Sequence, residues 1–558
     1  MRRLRFAAAT MWLTLGIVAG SAAAAEVIYF NADIHTFEAE KARVSALAAR
    51  DGRIVAIGEL AEVERAVQQG AAKIDLGGRF VMPGMIDAHG HLLNLGSFAL
   101  GKLDLSAAHS FDEVIEMVKA KAEQTPKGQW IVGGRWDHES WADQKLPTHA
   151  ALSAATPDHP VWLSRVDGHA GIANAEAMRR NGVSRETRLP AGGEMIRDAA
   201  GEPTGVFVDH AMSLITDKID QKTADTAELL LAAQRHCLEL GLTGVHDAGV
   251  SPRELDVFQR LADEGRLKLR VYAMVPASEA PAYFAKNAPK SGARLSVRAC
   301  KVYMDGALGS RGAWLNAPYS DLPAQSEGKS PTGLALTTPA EMRAICKDAI
   351  ARGYQICTHA IGDRANQEVI DAYTETAGES LASRRFRIEH AQVLREADIE
   401  RIAKHGIIAS MQPTHCTSDM RWAEARLGAD RVRFAYAWRS VNEAGARVAL
   451  GSDFPVESAN PLWGVYAAIT RQDHAGQPSG GWNPQEKLER GAAFRGFTIS
   501  AAYAEFAEDD KGKLTVGRLA DFVVLDRDVL KCAEKELIEA KVLRTVIGGE
   551  TVFERGGS

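Results

Sequence analysis

Cysteine is scarce in this chain, with six residues in 558. Cys237, Cys300, Cys346, Cys357, Cys416 and Cys532 are scattered, with no Cys-x-x-Cys pair. That excludes a zinc knuckle and the dense disulfide framework of a small secreted domain, and leaves buried apolar thiols as the simplest reading. Beyond residue 20 no hydrophobic run is long enough to span a bilayer. No short repeat or low-complexity tract is present, which excludes solenoids and fibrous chains. Basic residues are not in excess. The net charge is −6, which argues against nucleic acid and anionic membranes as partners.

Residues 1–25 read as a targeting segment rather than as fold. Arg2, Arg3 and Arg5 precede an apolar run over residues 6–20, and Ser21-Ala22-Ala23-Ala24-Ala25 offers an Ala-x-Ala cleavage site. The run is too short for a stable membrane anchor. The expectation is export to the periplasm or beyond, with cleavage near Ala25. Loss of the three arginines takes the net charge from −6 to −9.

Short alternating strands mark residues 26–80 and again 506–558, as in Arg53-Ile54-Val55-Ala56-Ile57-Gly58 and Ala520-Asp521-Phe522-Val523-Val524-Leu525. Two β-rich ends around a different middle suggest one small β-sandwich built from both termini. Residues 81–505 alternate strands with helical stretches. After a first strand ending near His89, strand candidates are 244–249, 270–275, 297–304, 354–359, 386–390, 407–411 and 447–453. Gly241, Gly265, Gly353, Gly406 and Gly445 stand where the intervening helices should stop. Eight such units imply an α/β fold closed as a (β/α)8 TIM-type barrel. A long gap after the first strand, about 105–225, reads as an α/β insertion near the C-terminal mouth. Its tryptophans, Trp130, Trp136, Trp141 and Trp162, would favour a partly apolar substrate.

Barrel enzymes carry their chemistry at the C-terminal ends of strands. Those ends hold His89 and His91, Lys301, His359, His390 and Asp453. In Val81-Met82-Pro83-Gly84-Met85-Ile86-Asp87-Ala88-His89-Gly90-His91 an apolar strand ends in two histidines two residues apart, so both imidazoles share a face. Four histidines and an aspartate suit Zn²⁺ or a similar divalent ion. Taken singly, His359 and His390 also fit as satisfied core histidines, and Asp453 as a helix N-cap. Lys301 lies inside a strand that faces the barrel interior, where a lone ammonium is costly. It either pairs with Asp305 or Glu389, or captures CO₂ to become a carbamate, a bidentate anion able to bridge two metals.

The set resembles the amidohydrolase superfamily, most of all amidohydrolase family 3, the branch that includes N-substituted formamide deformylases. The motifs are Ala48 through Gly58, Pro83 through His91, Lys301 through Arg311, His359-Ala360-Ile361-Gly362-Asp363, Glu389-His390-Ala391, Gly451-Ser452-Asp453 and Gly512 through Asp526. The resemblance implies a first ion on His89, His91 and Asp453, a second on His359 and His390, and carbamylated Lys301 between them. It implies hydrolysis of a non-peptide carbon–nitrogen bond, N-acyl or N-formyl, in a small-molecule substrate. Asp453 would move the proton from the attacking hydroxide to the leaving nitrogen, His169 and Arg311 would touch substrate, and a homodimer is the family-level expectation. A cyclic-amide or dipeptide substrate stays open. A mononuclear deaminase would want a glutamate three residues after the fifth-strand histidine, where Gly362 stands. A non-catalytic binding protein on the same barrel would be expected to have lost ligands, and here each position is filled.

Overall fold

The computed structural model describes residues 26–219, 225–322 and 331–556, so the targeting segment lies outside the described residues. Eight parallel strands follow one another in chain order around a barrel. They are Met85–Gly90, Leu242–Ala248, Arg270–Pro276, Leu295–Tyr303, Gln355–Ala360, Arg387–His390, Ile408–Met411 and Val448–Leu450. Each is a near-continuous buried run, as expected where helices cover one face and a filled interior the other. Helix limits follow from local chemistry. Pro339–Arg352 starts in a Thr338/Glu341 capping box and stops at Gly353, whose φ of 78° a glycine adopts without strain.

The eighth strand is shorter than its expected span of 447–453, because the backbone beyond Leu450 crosses to the first strand. Ser452 N–H and Oγ–H donate to the buried Asp87 carboxylate. Asp453 N–H donates to His89 O at 2.7 Å, and His91 N–H to Phe454 O at 2.9 Å. These bonds close the barrel. The floor is sealed by the segment Ala501–Ala504, where Ala504 O accepts from Gln355 at the start of the fifth strand.

Between the first and second barrel strands stands a separate six-stranded sheet, drawn from Leu103–Asp104 through Pro203–Asp209, with helices packed against it. Trp136 and Trp141 fill one of its cores, and Trp130 and Trp162 another. These tryptophans therefore hold the insertion together and do not shape a binding surface. The two chain ends build one eight-stranded sheet by hydrogen-bonding Ala72–Pro83 to Phe522–Leu525. The sheet curls over an apolar core of Tyr29, Leu47, Ile54, Phe522 and Val546, and Tyr29 O–H donates to Gly549 O across 520 residues. All six cysteines are free thiols. Among the described residues no helix is long and apolar enough to cross a membrane.

One buried ion pair joins the terminal sheet to the barrel. Arg270 donates twice to Asp521, at 2.6 and 2.8 Å, and Asp521 also accepts from Gly548 N–H. Removing one partner of a buried pair costs about 3–5 kcal/mol, because the other charge stays buried and uncompensated. Asp521→Ala should therefore lower the urea midpoint of unfolding by a corresponding amount while leaving metal content unchanged, since Asp521 sits at the opposite end of the barrel from the histidines. An unaltered midpoint would refute the clamp.

Candidate metal centre

The C-terminal ends of the strands surround a cavity of about 860 Å³, lined by His89, His91, Lys301, His359, His390 and Asp453. The first strand delivers His89 and His91 to one side, and Gly90 between them is forced by packing. A Cβ there would lie 2.5 Å from the Phe454 ring. Lys301 and Tyr303 share the inward face of the fourth strand by the two-residue period. On the sixth strand Glu389 and His390 are adjacent and should face opposite ways. Positive φ values of 72° at His390 and 44° at Ala391 turn the backbone, so both side chains reach the site. Asp453, at φ 60°, is turned in the same manner. Such conformations are costly for non-glycine residues and collect at functional sites.

Asp453 is the hub. Its Oδ1 lies 3.0 Å from His91 Nε2 and 3.7 Å from His89 Nε2, and its Oδ2 lies 3.3 Å from His415 Nε2. Two donor groups result, His89–His91–Asp453 and His390–His415–Asp453, each with its ligand atoms within 4.8 Å of one another. Burial would push the Asp453 carboxyl up, but His415 and His91 beside it hold it well below the usual carboxylate range. Burial alone would likewise lower His415, yet the Asp453 carboxylate, with Glu457 and Asp419, raises it to about 9. An ion held there would have to displace that proton.

The histidines are oriented from behind. His89 Nδ1–H donates to Glu389 at 2.6 Å, and His390 Nδ1–H donates to Gln412 Oε1 at 2.8 Å. Both rings thereby present Nε2 to the cavity as acceptors, the arrangement that metal-ligating imidazoles need. Burial is the largest influence on His89 and draws it down to about 4, so the ring is neutral. Asp453 Oδ1 and His415 Nε2 are buried and make no well-directed hydrogen bond among the described residues. The neutral imidazoles of His89, His359 and His390, a buried carboxylate and unspent ligand atoms fit a divalent ion.

A sequence model described as the amidohydrolase family matches residues 72–553. The chain belongs to the amidohydrolase family. Protein LONG AFTER FAR-RED 3 of Arabidopsis thaliana is 32% identical, over 97% of this chain and 94% of its own length. N-substituted formamide deformylase of Arthrobacter pascens is 29% identical, over 96% of this chain and 99% of its own. Among solved structures, an uncharacterized metal-dependent hydrolase from Pyrococcus horikoshii superposes with a TM-score of 0.74 at 27% identity, covering 91% of this chain and 99% of that one. As a member of this family, the protein is a metal-dependent hydrolase acting on carbon–nitrogen bonds.

The six ligand candidates of this amidohydrolase all reach the cavity. His359 packs 4.5 Å, ring centre to ring centre, from His390 and 4.9 Å from His169. His169 lines the cavity, and its Nδ1–H donates to Asp209 at 2.6 Å. Arg311 departs from expectation. Its guanidinium is held by Asp321 and does not line the main cavity, whereas Arg165 of the insertion does. Lys301 takes neither expected ion pair. Asp305 accepts from the N–H groups of Trp314, Ile361 and Gly362, and Glu389 is engaged by Arg387 and His89. His415 was not expected. It lies in the helix Pro413–Asp419 just past the seventh strand, and a histidine four residues after that strand's last residue, Met411, was the only available signal.

Glu389 should matter through His89. Glu389→Gln keeps the shape but removes the charge that fixes the His89 tautomer, and such changes typically weaken metal binding 10–100-fold. We expect that loss in competition against a fluorescent chelator. Unchanged affinity would show that His89 orientation does not depend on Glu389.

Proposed function

We propose that the protein hydrolyses a non-peptide amide, N-formyl or N-acyl, using two Zn²⁺ or similar divalent ions held around Asp453. The observation that carries this reading is the placement of one buried carboxylate between two histidine groups, His89–His91 on Oδ1 and His390–His415 with Asp453 on the other side. His359, in ring contact with His390, would complete the second group. A divalent ion bound there supplies the acidity that ionises water near neutral pH and polarises the scissile carbonyl.

The chain's own residues would do the rest. Asp453 takes the proton of the attacking water and hands it to the leaving nitrogen, a task suited to a carboxylate that is kept ionised and close to the reacting atoms. His169, fixed by Asp209 and facing His359, is placed to donate a hydrogen bond to the substrate carbonyl side. Lys301 is 1% exposed, and its Nζ lies 3.4 Å from His89 Nε2. Burial brings its pKa down to about 8, so a useful fraction is a free amine. We infer that this nitrogen bonds to CO₂ with loss of a proton, giving a carbamate that joins the two ligand groups. We also infer export after cleavage near Ala25, and a homodimer. The name of the deformylase relative supports N-formyl amines as the first substrates to try.

Amine release from N-formyl amides by Zn²⁺- and bicarbonate-treated protein should be readily measurable. Asp453→Asn should reduce kcat by about 10²–10⁴-fold, and Lys301→Ala should lower both rate and bound metal. Wild-type turnover by either variant would contradict its assigned role.

A further inference from the structure

We propose that Phe98, Lys102 and Arg135 form a carboxylate-binding subsite in the cavity wall, so that the substrate is an N-formyl or N-acyl amine bearing an acidic group away from the scissile bond. This rests on the amide-hydrolase reading above. Phe98, Lys102 and Arg135 line the same cavity as the metal-centre histidines.

Lys102 has no counter-ion. No carboxylate of the described residues lies within ion-pair distance of its Nζ, which sits 4.8 Å from the centre of the Phe98 ring. Burial is the sole influence on its pKa, and it is downward, which is the mark of an ammonium partly stripped of water with only the face of an aromatic ring in return. None of the acidic residues of the cavity pairs with Lys102, and Glu457 alone among them also feels the positive charge of Arg135. Asp137 and Asp167 bind Arg165, Asp209 binds His169, and Asp419 accepts from Tyr436. Glu457 accepts from Ser418 and lies 3.7 Å from His415 Nδ1.

Arg135 is aimed at this spot by its backbone. It lies in the insertion strand Ile131–Trp136 at φ 72°, where the pairing register with Val161–Arg165 shifts between Gly134 and Trp136. A bulge of this kind redirects one side chain, and such bulges are enriched beside active sites. The guanidinium carbon comes to 5.9 Å from the Phe98 ring centre. One end donates to Asp104 at 2.7 Å, while Nε is buried with no partner. Gly134 lets the ring in, since a Cβ there would lie 3.4 Å from Phe98 Cζ and 2.3 Å from Ser164 Oγ.

The charge balance selects the ligand. Asp104 offsets Arg135, which leaves the single positive charge of Lys102, whose Nζ–H groups are the free donors of the subsite. That suits a monoanionic carboxylate better than a dianionic phosphate. In the reaction, water adds OH to the acyl carbon and H to the nitrogen as the C–N bond breaks. The products are a carboxylic acid and an amine, one of which keeps the anchoring carboxylate.

The test compares zinc-loaded full-length protein on N-formylbenzylamine and on its para-carboxy analogue. Charge-assisted hydrogen bonds of this type are strong enough to give a preference of about tenfold or more in kcat/KM for the acid, expressed in KM. Lys102→Met and Arg135→Gln should bring that ratio toward one, and Lys102→Arg should restore part of it. No preference in the parent protein, or an unchanged ratio in Lys102→Met, overturns the subsite. If neither amide is hydrolysed, the amide-hydrolase reading fails and the subsite is decided by calorimetry with benzylamine and para-carboxybenzylamine. Tighter binding of the acid that is lost in Lys102→Met sustains it, and equal or absent binding overturns it.

Discussion

The junction between the first and eighth barrel strands is the constraint on which the rest depends. Four backbone and side-chain bonds cross it: Asp453 N–H to His89 O, His91 N–H to Phe454 O, and Ser452 N–H and Oγ–H to the Asp87 carboxylate. They do two things together. They close the sheet, and they bring the only carboxylate of the candidate ligand set against both histidines of the first strand. Two glycines make the approach possible. Gly90 leaves room for the Phe454 ring, and a Cβ on Gly451 would stand 2.6 Å from both Asp87 Oδ1 and His89 N. Asp87 itself is driven up to about 7 by burial, and the bonds from Ser452 and His89 N–H are what make a carboxyl tolerable there.

Beneath the histidines the barrel interior is polar along a continuous path. Glu389 meets Arg387 at 2.7 Å, Arg387 meets His246 Nδ1 at 2.8 Å, His246 Nε2 faces Glu505 at 3.7 Å, and Glu505 pairs with Lys511 at 2.9 Å. Burial opposes both charges of the first pair, yet Arg387 and His89 hold the Glu389 carboxyl well below its ordinary range. A column of ions is a poor source of stability compared with apolar packing. Its evident use here is to hold Glu389 ionised and still behind His89. The polar path thus runs from behind His89 through the barrel to its floor.

The barrel was legible because parallel strands buried on both faces are continuous apolar runs, and because ligands sit where those runs stop. The terminal sheet was legible from short β-rich segments at both ends, of which Arg53–Gly58 alternates clearly between buried and more exposed side chains. What escaped were residues whose place depends on turns or on pairing between distant segments. His415 reaches Asp453 from a helix, so no strand-end rule points to it. Arg311 sits in a motif shared with the family but is claimed by Asp321. The tryptophans of the insertion looked like a substrate surface because composition cannot tell a subdomain core from a cavity wall. Arg135 is sent into the cavity by a register shift, which no single-strand pattern reveals.

The central claim is that Asp453 stands between two ions. Anomalous diffraction at the zinc edge, from crystals of protein loaded with Zn²⁺ in bicarbonate, tests it directly. The account predicts two peaks flanking Asp453. One lies about 2.0–2.1 Å from Nε2 of His89 and of His91, and the other lies within the same reach of His390 with His415 or His359. A single peak away from Asp453, or none at saturating Zn²⁺, would contradict it.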